Sequence, residues 1–519
     1  VWREKDVCLL HGVTSSGKTE IYIHLINEVL AQGKQVLYML PEIVLTSQLT
    51  ERLRKVFGDR LGVYHSRYTD AERAEVYRKQ ISDTPYDIIV GVRSSVLLPF
   101  HNLGMVIIDE EHETSFKQTE PAPRYHARNV ALVMARMSGA KTLLGTATPS
   151  LESYSNAVAG KYGYVSLTTR FGNVCMPEIE VVDIAELKRK KLMNGPFSPV
   201  LLREIRQALE RKEQVILFQN RRGFAPVVEC HVCGWTPQCP HCDVSLTFHK
   251  RSNSLTCHYC GFSTSVAQRC PQCDADRLSS KGYGTERIED VLASIFPDAR
   301  VARMDLDTTR SRSAYEGIIK GFQRGDTDIL IGTQMVTKGL DFRRVSVVGI
   351  LNASTMLNQP DFRSYERAYQ MMTQVAGRAG RSSAGNGQNV RPGRVILQVH
   401  DAKQPTVMQV VRGDFEGMFR TQMEERRLFI YPPLCRLVYV YIKHKDEIVL
   451  EHLAEELAAL LRQVFGHRVL GPDMPPIARV QTMYIRKVCL KLELTANMAE
   501  ARRRLHEIQK YMTSKPEYK

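Results

Sequence analysis

Between Val7 and about Ser150, short apolar runs (VCLLHG, QVLYML, DIIVG, MVIIDE, TLLGTA) alternate with stretches such as EIYIHLINEVLAQG, whose apolar residues return at helical spacing. Strands apolar on both faces, alternating with helices, predict a parallel sheet covered on both sides. A second series, QVILFQN, ARVARMD, DILIGT, VSVVGIL and RVILQVH, repeats the pattern between about Leu201 and His400. Two α/β lobes are therefore expected, lobe 1 over 1–170 and lobe 2 over 201–400. The stretch 171–200, with KRKK and NGPFSP, reads as a linker, and 226–280 interrupts the second alternation as an insertion. From 401 to 519 the pattern becomes that of a small α+β domain. It holds LVYVYIKHK, a helix with Leu450, Leu453, Leu457, Leu460 and Val464 on one face, ARVQTMYIRKVCLKLEL, and a basic helix around ARRRLHEIQKYM.

A chain of 519 residues is too long for one ordinary core, which fits this division. No apolar run approaches the roughly 20 residues of a membrane span, and VWREKDVCLLHG lacks the features of a signal peptide. A cytoplasmic protein without a membrane partner is expected. Because Val1 leads almost directly into a strand pattern, the chain is also expected to be part of a longer protein. The formal charge of +15 and pI of about 9.2 favour a polyanionic partner.

Eight of the twelve cysteines form four CxxC pairs: Cys230/Cys233, Cys239/Cys242, Cys257/Cys260 and Cys270/Cys273. Each CxxC turn offers two thiolates to one tetrahedral ion, so four pairs predict two closed zinc sites with no position left for a catalytic water. The thiolates and two zinc ions together lower the effective charge to about +11. Three pairings are open; the inner pairs have CxxC-x14-CxxC spacing, close to a zinc ribbon. Trp235, Phe248 and Phe262 in this block either pack on the metals or project as a wedge. The remaining Cys8, Cys175, Cys435 and Cys489 read as buried apolar residues.

GVTSSGKT, Gly12 to Thr19, lies between a strand and a helix, where glycines such as Gly12 and Gly17 let backbone N–H groups curl around phosphates. Lys18 is placed to neutralise β/γ charge and Thr19 to reach magnesium. MVIIDEEH ends a strand with Asp109, suited to a magnesium-bound water, and Glu110, suited to orient the attacking water. QVAGRAGR brings Gln374, Arg378 and Arg381 from the second lobe toward the developing charge. In the segment after Glu110, Phe116, Tyr125 and His126 are candidates to stack on unpaired bases, and Lys117, Arg124 and Arg128 to hold phosphates. The alternative is that Phe116 and Tyr125 pin the loop to its lobe. Arg479, Arg486, Lys487, Arg502, Arg503 and Arg504 form either a nucleic-acid face or a solvated one.

GVTSSGKT, DEEH, GTATPS (Gly145 to Ser150), GTQMVTKGLDF (Gly332 to Phe342) and QVAGRAGR follow the order of the motor motifs of superfamily 2 helicases. The DEEH form, GTERIEDVL and the cysteine block resemble, more narrowly, the PriA family of bacterial replication-restart helicases, over nearly the whole chain. The resemblance implies RecA-like lobes, ATP with magnesium, two structural zinc ions, and 3′ to 5′ movement by a monomer. It implies that Thr146 and Thr148 relay between nucleotide and DNA, and that Thr333, Gln334 and Lys338 face the tracked strand or the cleft. Gly339 and Asp341 would sit near ATP, while Thr46, Arg93 and Ser94 are phosphate candidates. The zinc pairing would be nested, with Cys230, Cys233, Cys270 and Cys273 on one ion and Cys239, Cys242, Cys257 and Cys260 on the other. Implied partners are forked and single-stranded DNA, the single-stranded DNA-binding protein and primosome loading proteins. Such relatives carry an adenine-reading glutamine segment, a fork-binding domain and a winged helix ahead of the P-loop strand, and these would precede Val1. Two other readings are a fork-binding scaffold with secondary ATPase activity and an RNA helicase. The set Lys18, Asp109, Glu110 and Arg381 favours the motor.

Overall fold

The computed structural model describes residues 1–519 except 42–46, 66–67, 221–226, 231–234, 236, 242–245, 250–253, 258–261, 268, 276–277, 282–284, 306–307, 310, 335–341, 343, 359–360, 381–390 and 519. For 47–48, 173, 227, 229–230, 247, 249, 278–281 and 312 it describes the backbone alone. The chain divides into two compact units. The first comprises Val1–Asn220, Glu289–Leu357 and Tyr365–Phe419; the second comprises Arg221–Ile288, Asn358–Ser364 and Arg420–Lys519.

Lobe 1 contributes β1 (Val7–Gly12), β2 (Gln35–Met39), β3 (Leu61–Tyr64), β4 (Ile88–Gly91), β5 (Leu103–Asp109), β6 (Lys141–Thr146) and β7 (Gly163–Leu167). They form a parallel sheet in the order β3-β4-β2-β5-β6-β1-β7. Every residue of β2 is buried, as an apolar run without alternation requires. Next come β8 (Glu178–Asp183) and β9 (Gln214–Phe218). The inserted block holds β10 (Val227–Cys230), β11 (Thr247–His249), β12 (Ser254–Thr256), β13 (Ser263–Ser265) and β14 (Leu278–Lys281). Lobe 2 resumes with β15 (Val301–Met304), β16 (Ile329–Gly332), β17 (Val345–Ile350) and β18 (Arg394–Val399), giving a parallel sheet β15-β16-β9-β17-β18-β8. The chemistry-bearing residues Gly12, Asp109, Thr146 and Gly332 all end strands, the side of a parallel sheet where ligands bind.

Two expected boundaries shift. The segment read as a linker supplies the edge strand β8, held to β18 by Arg394 on Glu178 (2.6 Å) and Glu180 (2.7 Å). Past 401, Val407, Val410, Phe415 and Met418 belong to the lobe core, so the first unit continues to Phe419. Among the described residues, no helix is long and apolar enough to cross a membrane.

In the second unit, β10 pairs with β14, and β11, β12 and β13 form an antiparallel sheet. Cys239, Leu246, Leu255 and Cys257 make a small core there, with Val480 packed against it. Thr482 N–H donates to the His241 carbonyl (2.7 Å) and Arg479 to that of Pro240 (3.1 Å), tying the insertion to the C-terminal hairpin. The C-terminal sheet comprises β19 (Cys435–His444), β20 (Val469–Asp473), β21 (Arg479–Val480) and β22 (Met483–Glu493), with β22 pairing with the other three. Helix Glu447–Phe465, capped by Asp446, buries Leu450, Leu453, Leu457, Leu461 and Phe465 on it. The expected Leu460 is only half-buried and Val464 is 44% exposed, because the buried stripe turns one position further along. Arg486 is buried and paired with Glu447 and Glu451, while Arg503 and Arg504 pair with Glu500 and Glu507, so these three do not form a free cationic face.

Within the first unit, an aromatic cluster abuts the P-loop strand. His11 shares a hydrogen bond with the Tyr164 hydroxyl (2.9 Å) and meets Phe415 edge-on at 5.0 Å, while Tyr154 contacts Phe415 and Phe419. Burial pushes the His11 pKa down from 6.5 to about 4, with the Lys18 charge adding to it and a bond to the Ala147 backbone opposing. The folded state thus holds His11 neutral where the unfolded chain takes up a proton. This stabilisation is complete above about pH 6.5 and is lost as pH falls toward 4. In urea melts across that window, wild type should lose stability more steeply than His11→Gln.

Candidate nucleotide and nucleic-acid site

Gly12 and Gly17 meet the steric demands of the P-loop. A Cβ on Gly12 would stand 2.6 Å from Ser16 Oγ, and Gly17 takes φ 88° as it caps helix Lys18–Ala31. The helix N-terminus turns its N–H groups to the loop, as an anion site requires. Lys18 Nζ donates to the carbonyls of Gly12 (2.7 Å) and Val13 (3.3 Å), and Thr19 is half-buried beside it. Lobe 2 comes directly against this loop: a Cβ on Gly377 would fall 2.4 Å from Thr14 Oγ1. Arg170, 3% exposed, secures the approach by donating to the carbonyls of Gly377 (3.2 Å), Ala379 (3.3 Å) and Gly380 (2.9 Å). Arg378 is buried in the same segment.

Asp109 Oδ1 accepts from the Tyr22 hydroxyl (2.9 Å) and the Glu110 N–H (3.1 Å). Burial, then the neighbouring Glu110 charge, pushes the Asp109 pKa up to about 6, while Lys18 opposes. Glu110 adopts φ 50°, a left-handed conformation that costs a non-glycine residue energy. Gln374 Nε2 donates both to Glu110 Oε2 (3.0 Å) and to His112 Nε2 (3.0 Å). That assigns the His112 proton to Nδ1, which donates to Thr146 Oγ1 (2.8 Å), itself an acceptor of the Thr148 N–H (3.0 Å). A polar relay therefore runs from Glu110 through Gln374 and His112 to Thr146 and Thr148.

Gln374 does not act alone. On helix Ser364–Ala376, Glu366 accepts from the Leu151 N–H (3.0 Å) and Gln370 donates to the carbonyls of Thr148 (3.4 Å) and Pro149 (3.3 Å). Four-residue spacing puts Glu366, Gln370 and Gln374 on one helix face. Sequence reasoning took only Gln374; the spacing itself was the missed signal. Glu111, also missed, is fully buried and accepts from the Ser150 N–H (2.7 Å) and Ser153 Oγ (2.8 Å), joining the DEEH turn to GTATPS.

The loop after DEEH corrects part of the expectation. Phe116 is 0% exposed and packs in the lobe core, so its ring is closed to a base. Arg128 is ion-paired with Glu111 and donates to Ser150 Oγ (2.8 Å), which removes it from the phosphate candidates. Arg93 donates to the Ser115 (3.4 Å) and Lys117 (3.2 Å) carbonyls and bonds Tyr125, acting on the loop itself. Tyr125 and His126 are half-buried, and Lys117 and His126 bridge the base of the loop. Lys117 and Arg124 stay exposed, and Ser94 is half-buried. Thr333 is nearly buried at the end of β16, with half-buried Gln334 following. Thr46, Lys338, Gly339, Asp341 and Arg381 lie outside the described residues.

Of the expected zinc ligands, Cys233, Cys242, Cys260 and the Cys230 thiol also lie outside. Cys239 and Cys257 share one buried core, and the His241 N–H donates to Cys239 Sγ at 3.4 Å, the backbone bond that suits a thiolate on a metal. Cys270 is buried and Cys273 exposed. The shared core of Cys239 and Cys257 suits two CxxC pairs on one zinc ion, while the described residues leave the pairing of Cys270 and Cys273 untested.

Family models for the DEAD/DEAH box helicase, the Cys-rich region domain of PriA DNA helicase and the helicase conserved C-terminal domain match residues 1–157, 239–264 and 283–383. The replication restart protein PriA of Bacillus subtilis (strain 168) is 41% identical over 97% of this chain and 62% of its own length. Those of Treponema pallidum and Rickettsia conorii are 37% and 36% identical, over 93% and 92% of this chain and 71% and 72% of their own lengths. The chain spans about three fifths of the length of the first of the curated relatives it matches.

Removing one member of the buried Glu111–Arg128 pair leaves an uncompensated charge. Glu111→Ala should therefore destabilise lobe 1 by about 3–5 kcal/mol in chemical denaturation.

Proposed function

The chain belongs to the PriA family of replication restart proteins, and on that premise we propose that it is an ATP-driven DNA helicase or translocase that remodels stalled forks and initiates primosome assembly. In this reading Lys18 and the loop amides bind the phosphates. Thr19 and Asp109 would hold magnesium, which when bound supplies charge neutralisation between the β- and γ-phosphates. Glu110 orients the attacking water, and Arg378 and Arg381 stabilise charge on the transferred group. The observation that carries the reading is the double donation by Gln374, a lobe 2 residue, to Glu110 and His112 of lobe 1. Because it forms only when the lobes meet, the hydrolytic geometry is tied to closure. His112, Thr146 and Thr148 extend that tie toward the DNA-facing side, and reopening moves the chain along one strand, 3′ to 5′ as in the family. Two structural zinc ions, the single-stranded DNA-binding protein and the primosome loading proteins complete the proposal.

We infer that the C-terminal domain meets single-stranded DNA on the face of β19 and β22 that carries Tyr439 and Tyr441. Tyr439 and Tyr441 are 43% and 51% exposed there, with ring centroids 6.3 Å apart, and Lys487 Nζ lies 5.3 Å from the Tyr439 ring. Exposed aromatics beside a cation are what unpaired bases and their phosphates use.

Phosphate release measured with and without forked DNA tests the motor. Wild type should be stimulated and Lys18→Ala inactive; equal wild-type rates would favour the scaffold reading. Gln374→Ala should lose about tenfold or more of the stimulated rate with little change in nucleotide affinity. The Tyr439→Ala/Tyr441→Ala double variant should weaken binding to a labelled single strand by about tenfold or more in anisotropy titrations.

A further inference from the structure

We propose that the Tyr22 hydroxyl is a positioning group that fixes the Asp109 carboxylate for metal-nucleotide binding, and that residue 145 is glycine because this hydroxyl fills the place of a side chain. The inference rests on the magnesium-nucleotide reading above and adds a residue to it.

Tyr22 lies one helical turn beyond Lys18, on the same helix face. Its side chain is 0% exposed, and its ring meets Tyr38 edge-on at 5.6 Å, so the hydroxyl has a fixed direction. That hydroxyl donates to Asp109 Oδ1 at 2.9 Å, where the Glu110 N–H also donates. Oδ1 thus takes two protein donors, while Oδ2 has no hydrogen bond among the described residues. The pair of bonds on Oδ1 settles the rotamer and leaves Oδ2 as the oxygen for a metal or its water. A Cβ at Gly145 would sit 1.7 Å from the Tyr22 oxygen and 3.3 Å from Asp109 Oδ1, so even alanine would displace the bond. The Tyr38 hydroxyl, buried in the same pair, finds no hydrogen-bond partner among the described residues and serves as an internal control.

The experiment measures binding of a fluorescent ADP analogue as magnesium is raised, and again in EDTA, independently of turnover. Losing a hydrogen bond to a carboxylate predicts that Tyr22→Phe raises half-saturating magnesium about tenfold. Affinity in EDTA and the melting temperature should stay near wild type, and Tyr38→Phe should leave both binding readouts unchanged. If Tyr22→Phe does not fold, Gly145→Ala, which keeps the ring and displaces the hydroxyl, should give the same split. The proposal is overturned if the magnesium dependence of the folded variant is unchanged, if affinity in EDTA falls in parallel, or if Tyr38→Phe has the same effect. A wild-type chain that binds the analogue equally with and without magnesium would instead sink the reading on which the inference stands.

Discussion

The structure turns on one amide. Gln374 donates from lobe 2 to both Glu110 and His112 of lobe 1, and a side chain can do so only if two separately folded sheets come within hydrogen-bond reach. Several otherwise unrelated features serve that distance. Gly377 lacks a side chain where Thr14 passes, Arg170 holds the backbone of the same segment, and Glu366 and Gln370 fasten the helix two turns and one turn before Gln374. Each is weak alone. Together they determine where a carboxylate at the end of β5 points.

The cost of this arrangement is local. Glu110 is held at positive φ, and Asp109 is kept in a buried setting beside another carboxylate. Strain and like-charge crowding of this sort persist only where the surroundings over-determine them. Glu111 shows how: its two oxygens gather Arg128, Ser150 and Ser153, so the residue after the strained one is held by several partners at once.

Most strands of both sheets were legible because buried parallel strands leave apolar runs, but β3 and β7 were not read: β3 is only four residues long, and β7 alternates half-buried and exposed positions. Nor was β8, since EIEVVD alternates acids with apolar residues and follows a loop-like stretch; its pairing depends on Arg394, more than 200 residues away. The phosphate loop and acidic strand end were legible from spacing, whereas the loop after them was misread in part. A phenylalanine that packs and one that stacks have the same chemistry, and only the burial of Phe116 separates them. Arg128 likewise has the chemistry of a phosphate ligand, and only its pairing with Glu111 distinguishes it from one. The face formed by Glu366, Gln370 and Gln374 was available in the spacing, but its partners were not.

β7 ends at Leu167 and β8 begins at Glu178, so one lobe gives way to the other across only ten intervening residues. Fully extended, such a tether reaches at most about 35 Å. A leash that short keeps each lobe at an effective concentration of roughly millimolar around its fellow. Should the lobes part, their return would be a local search rather than a diffusional encounter.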